Sequence, residues 1–187
     1  MYRHYTPIHV QTIVLSQSYL NNRNIKYRNN DESSEDNLTL HLGSVEQETK
    51  LRMENTSSWS VWKVKAGFDL NYSRYKSDEY RKIFADALRE YNYHTDLSLW
   101  RWGLFASIDY AAPDKSFTAS IGVRTDGNNY SDKMKELWRQ LSPRLSVSYR
   151  LVDRLFLSGH MGLYYQLPPY TALGFKGNDG SYLNRNL

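Results

Sequence analysis

Strict two-residue alternation constrains this chain more than any other feature, because alternating apolar and polar residues bury their apolar half only when the backbone is extended. From Trp100 the even positions read Trp100, Trp102, Leu104, Ala106, Ile108 and Tyr110, while the odd positions read Leu99, Arg101, Gly103, Phe105, Ser107 and Asp109. From Trp62 the same split sets Trp62, Val64, Ala66, Phe68, Leu70 and Tyr72 against Lys63, Lys65, Gly67, Asp69, Asn71 and Ser73. Later runs repeat it: Phe117 to Val123, Leu145 to Tyr149, and Leu155, Leu157, Met161, Leu163 and Tyr165 against Ser158, His160 and Tyr164. Two earlier runs are fainter. Gln11 to Asn29 carries Ile13, Leu15, Tyr19, Ile25 and Tyr27, and Leu38 to Asn55 changes parity between Leu42 and Leu51, which suggests a β-bulge near Gly43.

The connections alternate in length. Short turns are expected at Thr56 to Ser60, Ala112 to Lys115 and Val152 to Arg154; long polar loops at Asn30 to Asn37, Ser77 to Asp96, Asp126 to Leu141 and after Gln166. Within the second long loop, Tyr80, Ile83, Phe84, Ala87, Leu88 and Tyr91 fall at helical spacing, so Glu79 to Tyr91 reads as a short helix. Asn178-Asp179-Gly180 suits a tight turn, since Gly tolerates positive φ. The reading is all-β: an antiparallel up-and-down meander of about seven strands with one short helix in a loop.

Alternation alone does not say what medium the apolar face meets, since a soluble sandwich alternates too. Aromatic placement adds to it. Trp100 and Trp102 stand at one end of an apolar band and Tyr110 at the other, and Trp62 and Tyr72 bracket another. Such girdles suit the two interfaces of a bilayer, and each band spans roughly 20 to 25 Å, the height of an outer membrane. Lys63, Lys65, Asp69, Arg101, Asp109, Arg124, Arg144 and Arg150 on the opposite face would be costly in a dry core and easy in a hydrated lumen. The mean hydropathy of -0.70 does not conflict, because only alternate residues of a barrel strand face lipid. No run approaches the roughly 18 apolar residues of a membrane helix. A soluble, Trp- and Tyr-rich β-sandwich for carbohydrate binding or adhesion is the competing reading.

Leu141-Ser142-Pro143-Arg144-Leu145-Ser146-Val147-Ser148-Tyr149, a short turn, and Gly162-Leu163-Tyr164-Tyr165-Gln166-Leu167-Pro168-Pro169-Tyr170 resemble barrel strands of TonB-dependent receptors, especially those of Bacteroidetes. The resemblance implies a 22-stranded barrel in the outer membrane of a Gram-negative cell, occluded by a plug. It imports scarce nutrients such as siderophores, vitamins or glycans with energy passed on by TonB. On that reading residues 1–187 are a partial β-barrel domain, with plug, remaining strands and signal peptide absent. Its implied partners are outer-membrane lipid, the rest of the barrel and the plug, and TonB through that plug. A surface lipoprotein is a further partner that the resemblance allows.

Other function classes are poorly served. A net charge of +4, with Lys and Arg scattered, gives no nucleic-acid stripe, and without Cys no thiol chemistry is open. His4, His9, His41, His94 and His160 lie far apart, without metal-ligand spacing. No nucleophile elbow or acid/base pair marks an enzyme. No catalytic, cofactor-binding or metal residue is assigned, and no cofactor is expected. Asp126-Gly127-Asn128-Asn129 reads as a plain turn, and Asp31, Glu32, Glu35 and Asp36 as a solvated acidic loop. Arg124, Arg144 and Arg150 could meet an anionic ligand, and Tyr130, Trp138 and Tyr170 a glycan, but the substrate-binding residues are left unassigned.

Overall fold

The computed structural model describes residues 1–84, 88–176 and 180–185. The alternating runs become strands that each hydrogen-bond to their neighbours in sequence. In chain order these are β1 (Tyr2–Tyr5), β2 (His9–Tyr27), β3 (Leu38–Trp59), β4 (Trp62–Phe84), β5 (Leu88–Ala111), β6 (Phe117–Asn128), β7 (Ser142–Val152) and β8 (Leu155–Gly162). They form one sheet in the order β1 to β8, without a crossover, so the described strands are eight rather than about seven. The addition is β1, whose four residues are too few to show a period; it pairs antiparallel with β2, Tyr2 opposite Ile13 and Tyr5 opposite Val10.

The chain divides into two compact units. The first comprises Met1–Ser16, Lys50–Asn71 and Trp100–Leu167; the second comprises Gln17–Thr49, Tyr72–Leu99 and Pro168–Leu187. In the first, the registers sort the faces as the alternation requires. Leu104 lies opposite Thr125, Ala106 opposite Val123 and Ile108 opposite Ile121, while Phe105 faces Arg124 and Asp109 faces Ser120. The ladder continues with Ile121 opposite Leu145 and then Leu145 opposite Met161, and on the other face Ser120, Ser146 and His160 follow one another. Phe156 lies opposite Arg150 on the polar face, and the β7–β8 register then shifts between Arg150 and Val152, which sets Val152 opposite Leu155. Among the described residues no second sheet covers the apolar face: Trp62 is 48%, Leu104 50% and Ile121 66% exposed. The sandwich reading therefore has no partner layer.

Turns are tighter than the sequence suggests. Ser60 and Val61 alone join β3 to β4, with Ser60 at φ 46, and Asp153 and Arg154 alone join β7 to β8. Between β2 and β3 the expected polar loop does form, as two short 3-10 turns over Arg28–Asn30 and Glu35–Asn37. There Asp31 accepts hydrogen bonds from the Ser33 backbone N–H and the Asn37 amide, both at 3.0 Å. β3 continues as one strand through Gly43, the site expected to bulge.

Two expectations are corrected. The long loop over Ser77 to Asp96 and its helix over Glu79 to Tyr91 do not form: Ser77 to Phe84 continue β4 and Leu88 to Asp96 belong to β5, with residues 85–87 outside the described residues. Extended pairing sets Ser77, Glu79, Arg81 and Ile83 beside Tyr91, Tyr93 and Thr95 around one cavity, where cross-strand side-chain contacts replace those within a helix. Likewise Asp126, Gly127 and Asn128 extend β6 instead of opening a turn. Of the expected Asn178-Asp179-Gly180 turn, Asn178 and Asp179 lie outside the described residues; Gly180 has φ 76, and Lys176 bridges to Tyr182.

Candidate functional site

On the polar face of the first unit Lys65, Asp69 and Arg124, three of the charged residues singled out by alternation, meet Arg52, Glu54 and Asp126 in one network. Arg124 donates to both carboxylate oxygens of Asp126, at 2.8 and 2.6 Å, and to Asp69 at 2.7 Å. Arg52 on β3 donates to the other Asp69 oxygen at 3.1 Å and to Glu54 at 2.9 Å, and Lys65 lies 3.7 Å from Glu54. Three strands, β3, β4 and β6, thus share one ion-pair ladder. Phe105 sits inside it, with the Arg52 guanidinium 4.3 Å and that of Arg124 6.0 Å from its ring centre. Cations over an aromatic face gain electrostatically, and the ring shields the pairs from part of the water that would otherwise screen them.

Two glycines make room for this. A Cβ on Gly103 would meet Asp126 Oδ1 at 2.6 Å and an Arg124 nitrogen at 2.7 Å, and one on Gly67 would meet the Met53 carbonyl at 2.2 Å and Phe105 at 2.6 Å. Farther along this face Asp109 accepts from the Ser120 hydroxyl, Arg144 stacks on Tyr164 at 4.7 Å, and Arg150 donates to the Asp114 carbonyl at 2.9 Å. All three arginines considered for an anionic ligand therefore already have protein partners.

In the second unit the even positions beyond Tyr72 change from apolar to charged. Arg74 and Lys76 pair with Asp96 at 3.2 and 3.5 Å, His94 with Asp78 at 2.6 Å, and Lys82 with Glu90 at 3.6 Å. The odd positions become the buried side: Ser73, Tyr75, Ser77, Leu97 and Leu99 are each at most 7% exposed. The chain after β8 covers them. Pro168-Pro169 end the extended backbone, a helical turn Tyr170–Leu173 follows, and Leu173 is fully buried. Tyr170 stacks on Tyr75 at 5.8 Å and its hydroxyl bonds Glu48 at 2.7 Å and Ser73 at 2.8 Å. Thr95 donates to the Gly174 carbonyl at 3.2 Å, and the Tyr182 hydroxyl to the Asp96 carbonyl at 2.9 Å.

Beside this segment lies a cavity of about 430 Å³. Tyr91 and Tyr93 line it with ring planes 6° apart and centres 6.0 Å apart, and Phe175 lies 5.8 Å from Tyr93. The polar lining comprises Ser77, His94, Thr95, Thr171, Lys176 and the pair Glu79 and Arg81, whose charges meet at 2.6 Å. The aromatics singled out from sequence have different surroundings. Tyr130 is buried at 5% exposure, Trp138 is 73% exposed, and Tyr170 anchors the covering segment. Sequence reasoning missed Glu48, Ser73 and the Tyr91/Tyr93 pair. The odd-position tyrosines were a signal, masked there by an equally good helical spacing. Of the histidines, His9 bonds the Ser57 hydroxyl at 2.7 Å and His94 takes Asp78; among the described residues no three His, Asp or Glu gather as metal ligands.

A single antiparallel sheet with an uncovered aliphatic face between aromatic rows, and an ion-paired face behind it, defines the wall of a transmembrane β-barrel. Residues 2–187 match the model of the family described as TonB dependent receptor-like, beta-barrel, and the chain belongs to that family. The family comprises receptors and transporters of the Gram-negative outer membrane rather than enzymes. No curated protein and no solved structure matches the chain.

Proposed function

We propose that residues 1–187 form part of the wall of an outer-membrane uptake receptor, one that admits a scarce nutrient of the siderophore, vitamin or glycan kind. The observation that carries this is the division of one sheet into a lipid-compatible face and an ion-paired face. Lipid does not tolerate unpaired backbone, and the paired length of β1 covers only Val10 to Ile13 of β2. Further strands of the same barrel would pair with β2 and β8. A plug within the lumen would face the Arg52, Asp69 and Arg124 ladder and carry the contact to TonB. A surface lipoprotein is a further partner, for which the ion-paired rows of β4 and β5 beyond Tyr72 offer a polar surface.

The cavity beside Tyr91 and Tyr93 is the proposed ligand contact. Its tyrosine rings suit the apolar face of a sugar, and Ser77, Thr95, Glu79 and Lys176 around them offer the donors and acceptors that a polyhydroxylated ligand would use. Calorimetric titration of the receptor and its Tyr93→Ala variant with neutral oligosaccharides and with a ferric siderophore tests the choice. Saccharide binding weakened at least tenfold by the substitution is expected. Siderophore binding unaffected by it would reject this cavity as the ligand contact.

A further inference from the structure

The connection between β6 and β7 folds onto the apolar side of its own strands. By register Thr125 lies opposite Leu104 and Gly127 opposite Trp102, so both belong to the apolar face. The Thr125 hydroxyl donates to the Leu137 carbonyl. A Cβ on Gly127 would meet the Trp102 ring at 2.5 Å and the Leu137 side chain at 3.2 Å, so Leu137 and Trp102 lie side by side over that glycine. The segment is structured: Ser131 caps a helical turn Asp132–Lys135 by accepting from the Met134 N–H at 3.3 Å, and a 3-10 turn Leu137–Gln140 follows. Within it Lys135 pairs with Asp132 at 2.6 Å and Arg139 with Glu136. Trp138 is nevertheless 73% and Leu141 46% exposed.

We propose that Ser131 to Leu141 form an interfacial collar on the outside of the barrel, with Trp138 and Leu141 seated in bilayer lipid at the headgroup boundary. Three features select lipid as the occupant. The collar is continuous with the lipid-facing band at its Trp100 and Trp102 rim. Four of its five charged side chains pair within the segment, which leaves little pattern for a protein partner to read. An indole beside aliphatic side chains is also the chemistry that partitions to the membrane interface. The loop is thereby committed to the wall's outer side rather than to ligand capture at the mouth.

The proposal rests on the barrel-wall reading, and the same experiment separates the two. The chain has no Cys, so single nitroxide labels can be placed at Trp138→Cys, Leu104→Cys and Ser33→Cys in the receptor reconstituted in phospholipid vesicles. Relaxation by oxygen, which partitions into lipid, is compared with relaxation by a water-soluble nickel chelate. The oxygen-to-nickel ratio at Trp138→Cys is expected to be several-fold above that at Ser33→Cys, in the polar β2–β3 loop, and below that at Leu104→Cys, in mid-band. A Trp138→Cys ratio equal to that of Ser33→Cys, or shielding from both reagents, overturns the collar. A low ratio at Leu104→Cys overturns the wall reading itself. The milder Trp138→Phe variant provides a check with less risk to folding: it should remove part of the tryptophan emission quenched by bromolipids, and an unchanged quenchable fraction counts against the collar.

Discussion

Replacing Gly67 with alanine tests the packing of the polar face at one atom. The added Cβ would lie 2.2 Å from the Met53 carbonyl oxygen and 2.6 Å from Phe105 Cζ. A carbon and a carbonyl oxygen settle near 3.3 Å, so relief requires roughly 1.1 Å of displacement between β3 and β4. The Phe105 contact can yield by side-chain rotation, but the Met53 contact is backbone and cannot. Overpacking of this kind costs about 1 to 3 kcal/mol, against about 0.5 to 1 kcal/mol gained by replacing glycine in a strand interior. A net loss of about 1 to 2 kcal/mol follows. Gly43→Ala is the matched control, since β3, like the β4 that carries Gly67, is paired on both sides, and a Cβ there meets nothing within 4 Å. That variant should gain about 0.5 to 1 kcal/mol. Urea unfolding of the lipid-folded receptor, followed by tryptophan fluorescence, measures both. Adding Phe105→Ala to Gly67→Ala should show favourable coupling in a double-mutant cycle, because one of the two overlaps disappears. The two alanine variants shifting in the same direction would refute the close approach of β3 to Gly67.

Further outcomes follow from the same geometry. Ile108→Arg, in mid-band on the apolar face, should destabilise the lipid-folded protein by about 2 to 4 kcal/mol, while Ser107→Arg next to it on the polar face should cost under about 1 kcal/mol; equal effects in urea titrations would contradict the assignment of faces. Arg124→Met leaves Asp69 and Asp126 half-buried without their shared cation, and should cost about 1 to 2 kcal/mol, with a salt dependence weaker than wild type. Tyr170→Phe removes the hydroxyl that bonds Glu48 and Ser73 and should loosen the covering segment by about 1 to 2 kcal/mol, read as faster proteolysis near Phe175 with β6 to β8 unaffected. In the β5–β6 turn, Asp114 accepts the Ser116 N–H at 3.1 Å and its hydroxyl at 2.8 Å, bonds that hold its carboxyl below the ordinary value of 3.8. The turn's stabilisation is therefore complete above that value and lost as pH falls through the lower folded one, and Asp114→Asn should flatten this acid limb.

How much of this was written in the sequence follows from where each signal is local. A period of two fixes which residues share a face, whatever lies beyond it, so Leu104, Ile108, Ile121, Leu145 and Met161 could be placed together, and opposite Asp69, Arg124 and Arg144, before any register was known. The membrane reading came from the same property, with the aromatic girdles marking where the medium changes, while the family came from the resemblance carried by Leu141 to Tyr149 and Gly162 to Tyr170. Tertiary structure decided what depended on chain meeting chain. Tyr80, Ile83, Leu88 and Tyr91 fit a helix as well as a hairpin, and only pairing of β4 with β5, covered by Tyr170 and Leu173 from far along the chain, selects the strand. Glu48 and Ser73 carry no local mark because their partner is about a hundred residues away. Trp138 could equally have faced a ligand or lipid until the Leu137 contact with Trp102 placed its segment on the outer face. Alternation sets the side of a strand at each residue's own backbone, but which distant segment covers that side is settled only by the free energy of packing the two together.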